Sequence, residues 1–539
     1  MIKKILASVA LLAGASSALM AQTALDAYQI SQGDLKGTAR FMSMSGAFTA
    51  LGGDPSVLTQ NPAGIGVYRN SEVNASMDIN IQSVKATGIS TDQTKVTSPN
   101  ISYIGALNTG SEVMNYFNWG ISYGRLVSFD AKYKGTINGI NSSLTNYVAD
   151  YTAAEGWTPA QLNGYGGADP FYDTYAPWMS ILMFNAYAIN PSTKDGTDYL
   201  GLYNGTPGTA TFDVLQKGYV DQYNISFGGN FSNVVYWGIN FGIIDIEYKN
   251  WTYYTETFND AIIANAGATG RTTGLGQMGI ESAKRISGSG FNFGAGVILR
   301  PIPQLRFGVS VKTPTYYNLN YDAYTRTQYN YELSSGAARH GYFPNNDTYG
   351  ADDYFSFKCR TPLELNLGLA TVIANRAIVS VDYEYKPYQN MNVKDDDGNT
   401  YNNVKSAIKT YYKAQNIVRV GAEYRLTPQW TIRAGYAYES SPVTDEFKNS
   451  DVPVYTSGPD DTETQASYIV PKATQYITCG LGWHYKSFYA DAAYVHCTRK
   501  ADWHAFTSYS DADNNWIDAP SAELTSNSNR IVLSVGFKF

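Results

Sequence analysis

The sequence predicts an all-β protein: a fourteen-stranded antiparallel transmembrane β-barrel with a small N-terminal helical hatch in its lumen. Three observations carry that reading. The chain of 539 residues holds 45 Tyr and 49 Gly but only 16% charged residues, a composition that suits sheets meeting an interface. After the first 21 residues no apolar run reaches about 18 residues, the length a membrane-spanning helix needs. Segments of strict polar–apolar alternation recur to the last residue. The gaps between them are short and long in turn, the rhythm of barrels with tight periplasmic turns and long extracellular loops.

The chain opens with Met1-Ile2-Lys3-Lys4, an apolar run from Ile5 to Leu12, and small residues up to Ala21. Two lysines, a short apolar core and a small-residue site read as a signal peptide over 1–21, cleaved after Ala21 or, as second choice, after Ala18. Export without a spanning helix leaves a secreted protein or a barrel in the outer membrane of a Gram-negative cell, and the strands decide for the barrel. The net charge of −7 offers no basic surface for nucleic acid. Cys359, Cys479 and Cys497 are odd in number and show no CxxC spacing, so neither a disulfide framework nor a metal site is expected.

Residues 22–70 form the expected hatch. Phe41, Met44, Phe48 and Leu51 stand at helical spacing, and Gly52-Gly53 stops the run. Asp54 caps a second short helix that begins at Pro55. Asn61 precedes Pro62 and is pushed toward extended geometry. Gly64 and Gly66 permit close backbone approach. A wide barrel cannot fill itself with wall side chains, so this compact, turn-rich segment belongs inside it.

Residues 71–539 form the barrel. The expected strands are 71–85, 100–107, 115–129, 217–231, 234–249, 288–300, 304–314, 357–372, 376–389, 413–426, 429–441, 471–485, 487–498 and 527–539. In Val73–Gln82 every odd position is apolar and every even one polar, which places the two sets on opposite faces. Charges such as Arg306, Asp382, Arg433 and Arg530 fall on the polar face. A lipid-facing Arg or Lys at mid-depth costs roughly 2–4 kcal/mol, so the polar face is the lumen. A turn at Thr427-Pro428-Gln429 sets Glu423 opposite Arg433. The last strand ends on Phe539, as outer-membrane barrels do, and that likeness implies recognition by the barrel-assembly machinery. The longest loop is 130–216. Within it Pro177 starts a helix bearing Trp178, Ile181, Leu182 and Phe184. They either pack against their own loop or form an exposed patch that first catches ligand.

The run "GTARFMSMSGAFTALGGDPSVLTQNPAGIGVYRN" resembles the hatch of the FadL family of outer-membrane transporters for long-chain fatty acids and other hydrophobic compounds. Asn61-Pro62-Ala63-Gly64 is part of the matching core. "FNFGAGVILRPIPQLRFGVSVKTP" and "VRVGAEYRLTPQWTIRAGYAYESSPV" are similar to late strand pairs of that family. The resemblance implies a fourteen-stranded barrel, a hatch with Asn61, Pro62, Ala63 and Gly64 at the gate, and an inward kink of the third strand that opens the wall for lateral release. Gly120 and Gly124 are the kink candidates on that strand. Loop 130–216 matches no pattern of the family.

No Ser, His and acid set stands out, and the four histidines form no HExxH motif, so no enzyme, metal or cofactor is expected. Asp395, Asp397 and Asn399 lack the glycine spacing and distal Glu of a calcium loop. The expected function is passive transport of long-chain fatty acids or other hydrophobic small molecules. Arg419, mid-wall, and Lys312, nearer the outside, are the candidate partners of an acidic headgroup. The alternative is a haem receptor on the same scaffold, using His340, His484 or His504. The expected partners are the ligand and outer-membrane lipid.

Overall fold

The computed structural model describes residues 24–193, 196–264, 271–344, 351–448, 464–511 and 513–539; the expected signal peptide, 1–21, lies outside them. Fourteen strands make the wall: β1 (Glu72–Ala86), β2 (Asn100–Asn108), β3 (Met114–Ser128), β4 (Gly208–Phe231), β5 (Val235–Ala264), β6 (Arg271–Ile302), β7 (Leu305–Lys312), β8 (Glu364–Ile373), β9 (Ala377–Pro387), β10 (Ala414–Arg425), β11 (Trp430–Glu439), β12 (Tyr468–Tyr485), β13 (Phe488–His504) and β14 (Ser521–Lys538). Each pairs antiparallel with the next. The ladder closes where β14 returns to β1, from Lys538 opposite Glu72 to Leu524 opposite Ala86. Closure leaves no unpaired edge to desolvate in lipid. Short turns sit at one end: Ser232 and Asn233 take φ of 50° and 57°, the left-handed pair that a tight hairpin requires. Glu423 faces Arg433 across one such hairpin, as the sequence predicts.

Near the short turns the outward face is apolar. Val73, Met77 and Ile81 of β1, Phe241 and Ile243 of β5, and Leu533, Val535 and Phe537 of β14 are all exposed, while Asn74, Ser76 and Asp78 point inward and are buried. Farther along the strands the faces exchange roles. Past Ile243, the outward positions of β5 are Asp245, Glu247 and Lys249, and the buried ones are Ile244, Ile246 and Tyr248. The same exchange on β6 puts Glu281 and Arg285 on the outward parity and Met278, Ile280 and Ile286 inside. The first regime is a wall in lipid around a polar interior; the second is a wall in water around apolar packing. At about 3.3 Å per residue the 30 residues of β5 reach roughly 100 Å along the strand, far beyond an apolar band about 25 Å tall.

This exchange corrects the expected loops at 250–287 and 315–356. Most of their described residues are strand: β5 and β6 continue upward, and Tyr316–Leu333 pairs alongside β6. A test for an apolar outward face ends those strands too early, because alternation persists with its sense reversed. The expected strand 357–372 also divides. Asp352–Arg360 pairs with Tyr316–Leu333 in the upper wall, and the wall strand β8 starts anew at Glu364 after Thr361-Pro362.

Two helices precede β1, α1 (Ala24–Ser31) and α2 (Ala39–Ser43). The long loop after β3 first adds a strand, Ala131–Ile140, to the top of β4. It then forms α3 (Leu144–Ala154) and α4 (Trp178–Asn185). Glu256 of β5 fastens this cap: its carboxylate accepts bonds from Leu144 N (2.8 Å), Ser143 Oγ (2.5 Å) and Tyr254 OH (2.7 Å). Tyr331 donates to Ala186 O at 2.9 Å. Trp178, Ile181 and Leu182 are 4%, 0% and 0% exposed, and Phe184 packs partly buried against the same core. The four therefore pack against their own loop and the barrel mouth and form no exposed patch.

Asp150 of α3 has its carboxyl pushed up to about 6, first by burial and then by Asp511 and Asp513, against a lowering bond from Tyr509. A raised acid holds a proton in the folded state that the unfolded chain has lost, so its contribution is largest at low pH and declines as pH rises from about 4 through 6. Thermal unfolding of the purified protein should show the cap weakening over that window. Asp150→Asn should flatten the dependence.

Candidate functional site

Residues 33–67 lie across the lumen at the height of the apolar belt. Local chemistry shapes the segment. Thr38 Oγ1 accepts from Phe41 N (3.1 Å) to start α2. Asp54 and Asn61 each accept from the backbone two residues on, at 2.9 Å and 3.0 Å, and each precedes a proline that opens a 3₁₀ turn. Such caps are worth about 1 kcal/mol apiece. Asn61 is wholly buried, and its amide nitrogen also donates to Thr49 O at 2.6 Å. The Asn-Pro-Ala-Gly motif thus ties together the two halves of the segment.

What receives the segment is a girdle of glycines. A side chain at Gly228, Gly238, Gly296, Gly308, Gly368, Gly421, Gly435 or Gly480 would collide with Ile65, Pro62, Asn61, Thr49, Thr49, Met44, Met44 or Ser43, respectively. These glycines lie on β4, β5, β6, β7, β8, β10, β11 and β12. Many are direct cross-strand neighbours: Gly228 with Gly238, Gly238 with Gly296, Gly308 with Gly368, Gly421 with Gly435. At Gly238, Gly308, Gly421 and Gly435 the nearest atom of the segment is a backbone atom, so there wall and segment meet main chain to main chain.

Between and beside the glycines, polar side chains complete the attachment. Arg306 Nη1 donates to Leu51 O (2.6 Å), Asn118 Nδ2 to Ile65 O (2.6 Å), Ser310 Oγ to Gln60 O (2.6 Å) and Thr478 Oγ1 to Ser43 O (2.9 Å). Asp382 accepts from Thr49 N at 2.7 Å. Lys36 pairs with Asp78 at 2.6 Å, and Arg40 with Glu423 at 3.0 Å. The Glu423–Arg433 pair at 2.7 Å thereby joins a chain that runs from Arg40 to Asp491. Burial alone would raise the Asp34 carboxyl; Arg530, Arg499 and Lys36 outweigh it and hold the group well below the usual carboxylate range.

Two cavities lie above this floor. The upper one, about 270 Å³, is lined by Tyr28, Tyr133, Tyr388, Tyr412 and Trp503 among others. The lower one, about 140 Å³, includes Lys312, Glu364, Lys386, Glu384 and Arg419. Gln32, Gly33, Asp34, Gln415 and Glu439 border both. Arg419 and Lys312 do face the lumen, but each meets a carboxylate, Glu384 at 2.6 Å and Glu364 at 3.3 Å. His504 stacks on Tyr468 at 4.9 Å and His484 on Tyr489 at 5.7 Å, while His340 stands in an outer strand and is exposed. No cluster of three metal-binding side chains occurs among the described residues.

The upper cavity also reaches a seam in the wall. Ile89–Thr97 pairs with the upper half of β1, and Ala131–Ile140 with the top of β4. Among the described residues no ladder rung joins those two strands to each other. Only side-chain bonds cross between them and their turns: Thr136 N to Thr87 Oγ1 at 3.0 Å and Lys95 to Asp130 at 2.9 Å. Gln82 and Val84 line the cavity on one flank, Val127 to Ala131 and Tyr133 on the other. Gly120 and Gly124, the expected kink, lie in an unbroken β2–β3 ladder. β3 slips against β4 on either side of them, between Met114 and Tyr116 and between Arg125 and Val127, the second of these at the seam. Gly120 instead faces Ile65 of the segment.

Residues 250–456 match the family model described as outer membrane protein transport protein (OMPP1/FadL/TodX). The fold is FadL-like. The crystal structure of a Pseudomonas aeruginosa FadL homologue is similar at TM-score 0.50 with 13% identity, over 94% of this chain and 99% of that one. At that identity the likeness is one of fold. The P. putida toluene transporter TodX and the Ralstonia pickettii toluene transporter TbuX each give TM-score 0.45 with 12% identity, over 94% of this chain and 99% of theirs. No curated protein matches the chain. A FadL-type barrel with an apolar belt resides in the outer membrane of a Gram-negative cell.

Two substitutions test the floor of this FadL-type lumen. Gly296→Val would place branched carbons against Asn61 and should lower stability by about 1–3 kcal/mol, as overpacking does. Limited proteolysis should show cleavage within 33–67 rising with it. Asn61→Ala removes a cap and leaves Thr49 O unmet, and should cost about 2 kcal/mol in denaturant unfolding.

Proposed function

We propose that the chain is a passive outer-membrane transporter of hydrophobic small molecules, long-chain fatty acids among them, with residues 22–70 as its hatch. One observation carries the reading: the lumen is floored at belt level by a segment fitted against glycines, while the space above it extends to a wall seam without a ladder. A straight aqueous pore has no place in that arrangement. Ligand enters the upper lumen, reaches the cavity lined by aromatic rings, and leaves by rearrangement of the hatch edge and the neighbouring wall. The outer-membrane transport description of the matched family supports this class of function.

The seam suits lateral release. Its lower end, where Thr97 stands opposite Asp78, lies below Ile81, the last exposed apolar residue of β1, whose ladder partner is Thr94. A ligand leaving there enters the outer rim of the bilayer and never crosses the girdle. Only a few side-chain bonds must open, each worth about 1 kcal/mol or less when partly exposed.

Joining the flanks tests the route. Lys95→Cys with Asp130→Cys, in a Cys479→Ser background, can be bridged by a short bifunctional maleimide. Uptake of a labelled long-chain fatty acid by cells should fall severalfold after bridging and not in the unbridged variant. Undiminished uptake at equal surface abundance would remove the seam from the route.

A further inference from the structure

The upper cavity is not built like a sleeve for an alkyl chain. Six of the chain's 17 glutamines line it: Gln29, Gln32, Gln82, Gln216, Gln415 and Gln465. Gln32 donates to Gln29 Oε1 at 2.7 Å, and Gln465 donates to Ser467 O at 3.3 Å and accepts from Asn250 at 2.7 Å. In the other three the amide nitrogen is engaged as well, Gln82 to Ser526 Oγ at 2.9 Å, Gln216 to Tyr248 OH at 3.1 Å and Gln415 to Ser440 O at 3.0 Å. Their carbonyl oxygens accept no bond from any described residue. An amide oxygen in such a place wants a donor. The Tyr412 hydroxyl, also in the wall, is buried without a partner.

Charge narrows the ligand further. Lys284 pairs with Asp26 at 2.8 Å, Arg499 with Asp34 at 2.9 Å and Lys472 with Asp502 at 2.6 Å, and Lys500 lies 3.6 Å from Glu523. The cations around the cavity are thus already matched by carboxylates, and Glu439 adds another acid to the lining. An anionic headgroup would have to displace one of them. Flat faces are plentiful: Tyr28 stacks on Tyr412 with centroids 5.0 Å apart, and Trp503 lies among the lining residues. Rings prefer to pack on rings in offset or edge geometry.

We propose that this cavity binds a neutral ring compound bearing hydroxyl donors, such as a phenol-type or polycyclic alcohol. The inference rests on the transport reading above and names, among hydrophobic small molecules, the class this cavity holds best. The ring lies among the tyrosines and Trp503, and its hydroxyls donate to the glutamine carbonyls.

Calorimetry on the full chain in lipid nanodiscs, with 2-naphthol, naphthalene, laurate and glucose as probes at neutral pH, tests it. One uncharged hydrogen bond is worth about 0.5–1.5 kcal/mol net, so 2-naphthol should bind roughly twofold to tenfold tighter than naphthalene. It should also bind tighter than laurate or glucose. Gln216→Met with Gln415→Met should erase the preference for 2-naphthol over naphthalene. Equal or tighter binding of naphthalene, laurate or glucose overturns the inference, as does an unaltered preference in the double variant. If the variant does not fold, the ranking of the four probes on the natural chain still decides. The transport reading fails on a different result: cells with and without the protein taking up 2-naphthol, naphthalene and laurate at the same rate.

Discussion

A strand with no side chain, pressed against the main chain of another segment, is the contact on which this barrel's interior depends. Glycine removes the spacer that normally holds two backbones apart, and eight wall strands use it at one height. The approach brings carbonyls and amides of residues 33–67 within reach of short wall side chains such as Ser310, Asn118, Asp382 and Thr478. With longer residues in the girdle, those bonds could not form. The buried ion pairs of Lys36 and Arg40 then fix which way the segment faces, since separating either partner would strand a charge in a poorly hydrated place.

Much of the architecture was readable from alternation alone. Strand number, the short-turn rhythm and the Glu423–Arg433 pair all follow from a period of two and the cost of charge in lipid. The upper wall was not readable by the same rule, because the medium outside changes from lipid to water partway up. Above Ile243 the sequence still alternates, yet its apolar residues turn inward. A reader looking for greasy outer faces sees β5 and β6 end where they in fact run on. The buried cluster on α4 illustrates the complementary difficulty: Trp178 to Phe184 show that a helix is apolar, and only the fold shows what covers it.

The lumen was legible in part. Asn61-Pro62 announces a capped turn, and the structure puts Asn61 at the centre of the segment. Its partner Thr49 is near in sequence, but the surface receiving it is not. Arg40 meets Glu423 across 383 positions, which no local pattern encodes. The glycines did leave a trace: Gly228, Gly238, Gly296, Gly308, Gly368, Gly421, Gly435 and Gly480 all occupy inward positions of their strands, where serine or asparagine would serve a wet wall equally well. Arg419 and Lys312 were correctly placed inside. Their spoken-for state was hidden, because it depends on Glu384 and Glu364 standing one strand over.

The closing ladder between β1 and β14 carries an implication for how the molecule is held together. The segment leads directly into β1 at Ser71, whose backbone exchanges two bonds of 3.0 Å with Phe539. First and last strands therefore meet beside the base of a segment whose seat is formed by the strands in between. Seal and stopper thus share one corner of the molecule, and a change at either is felt by the other.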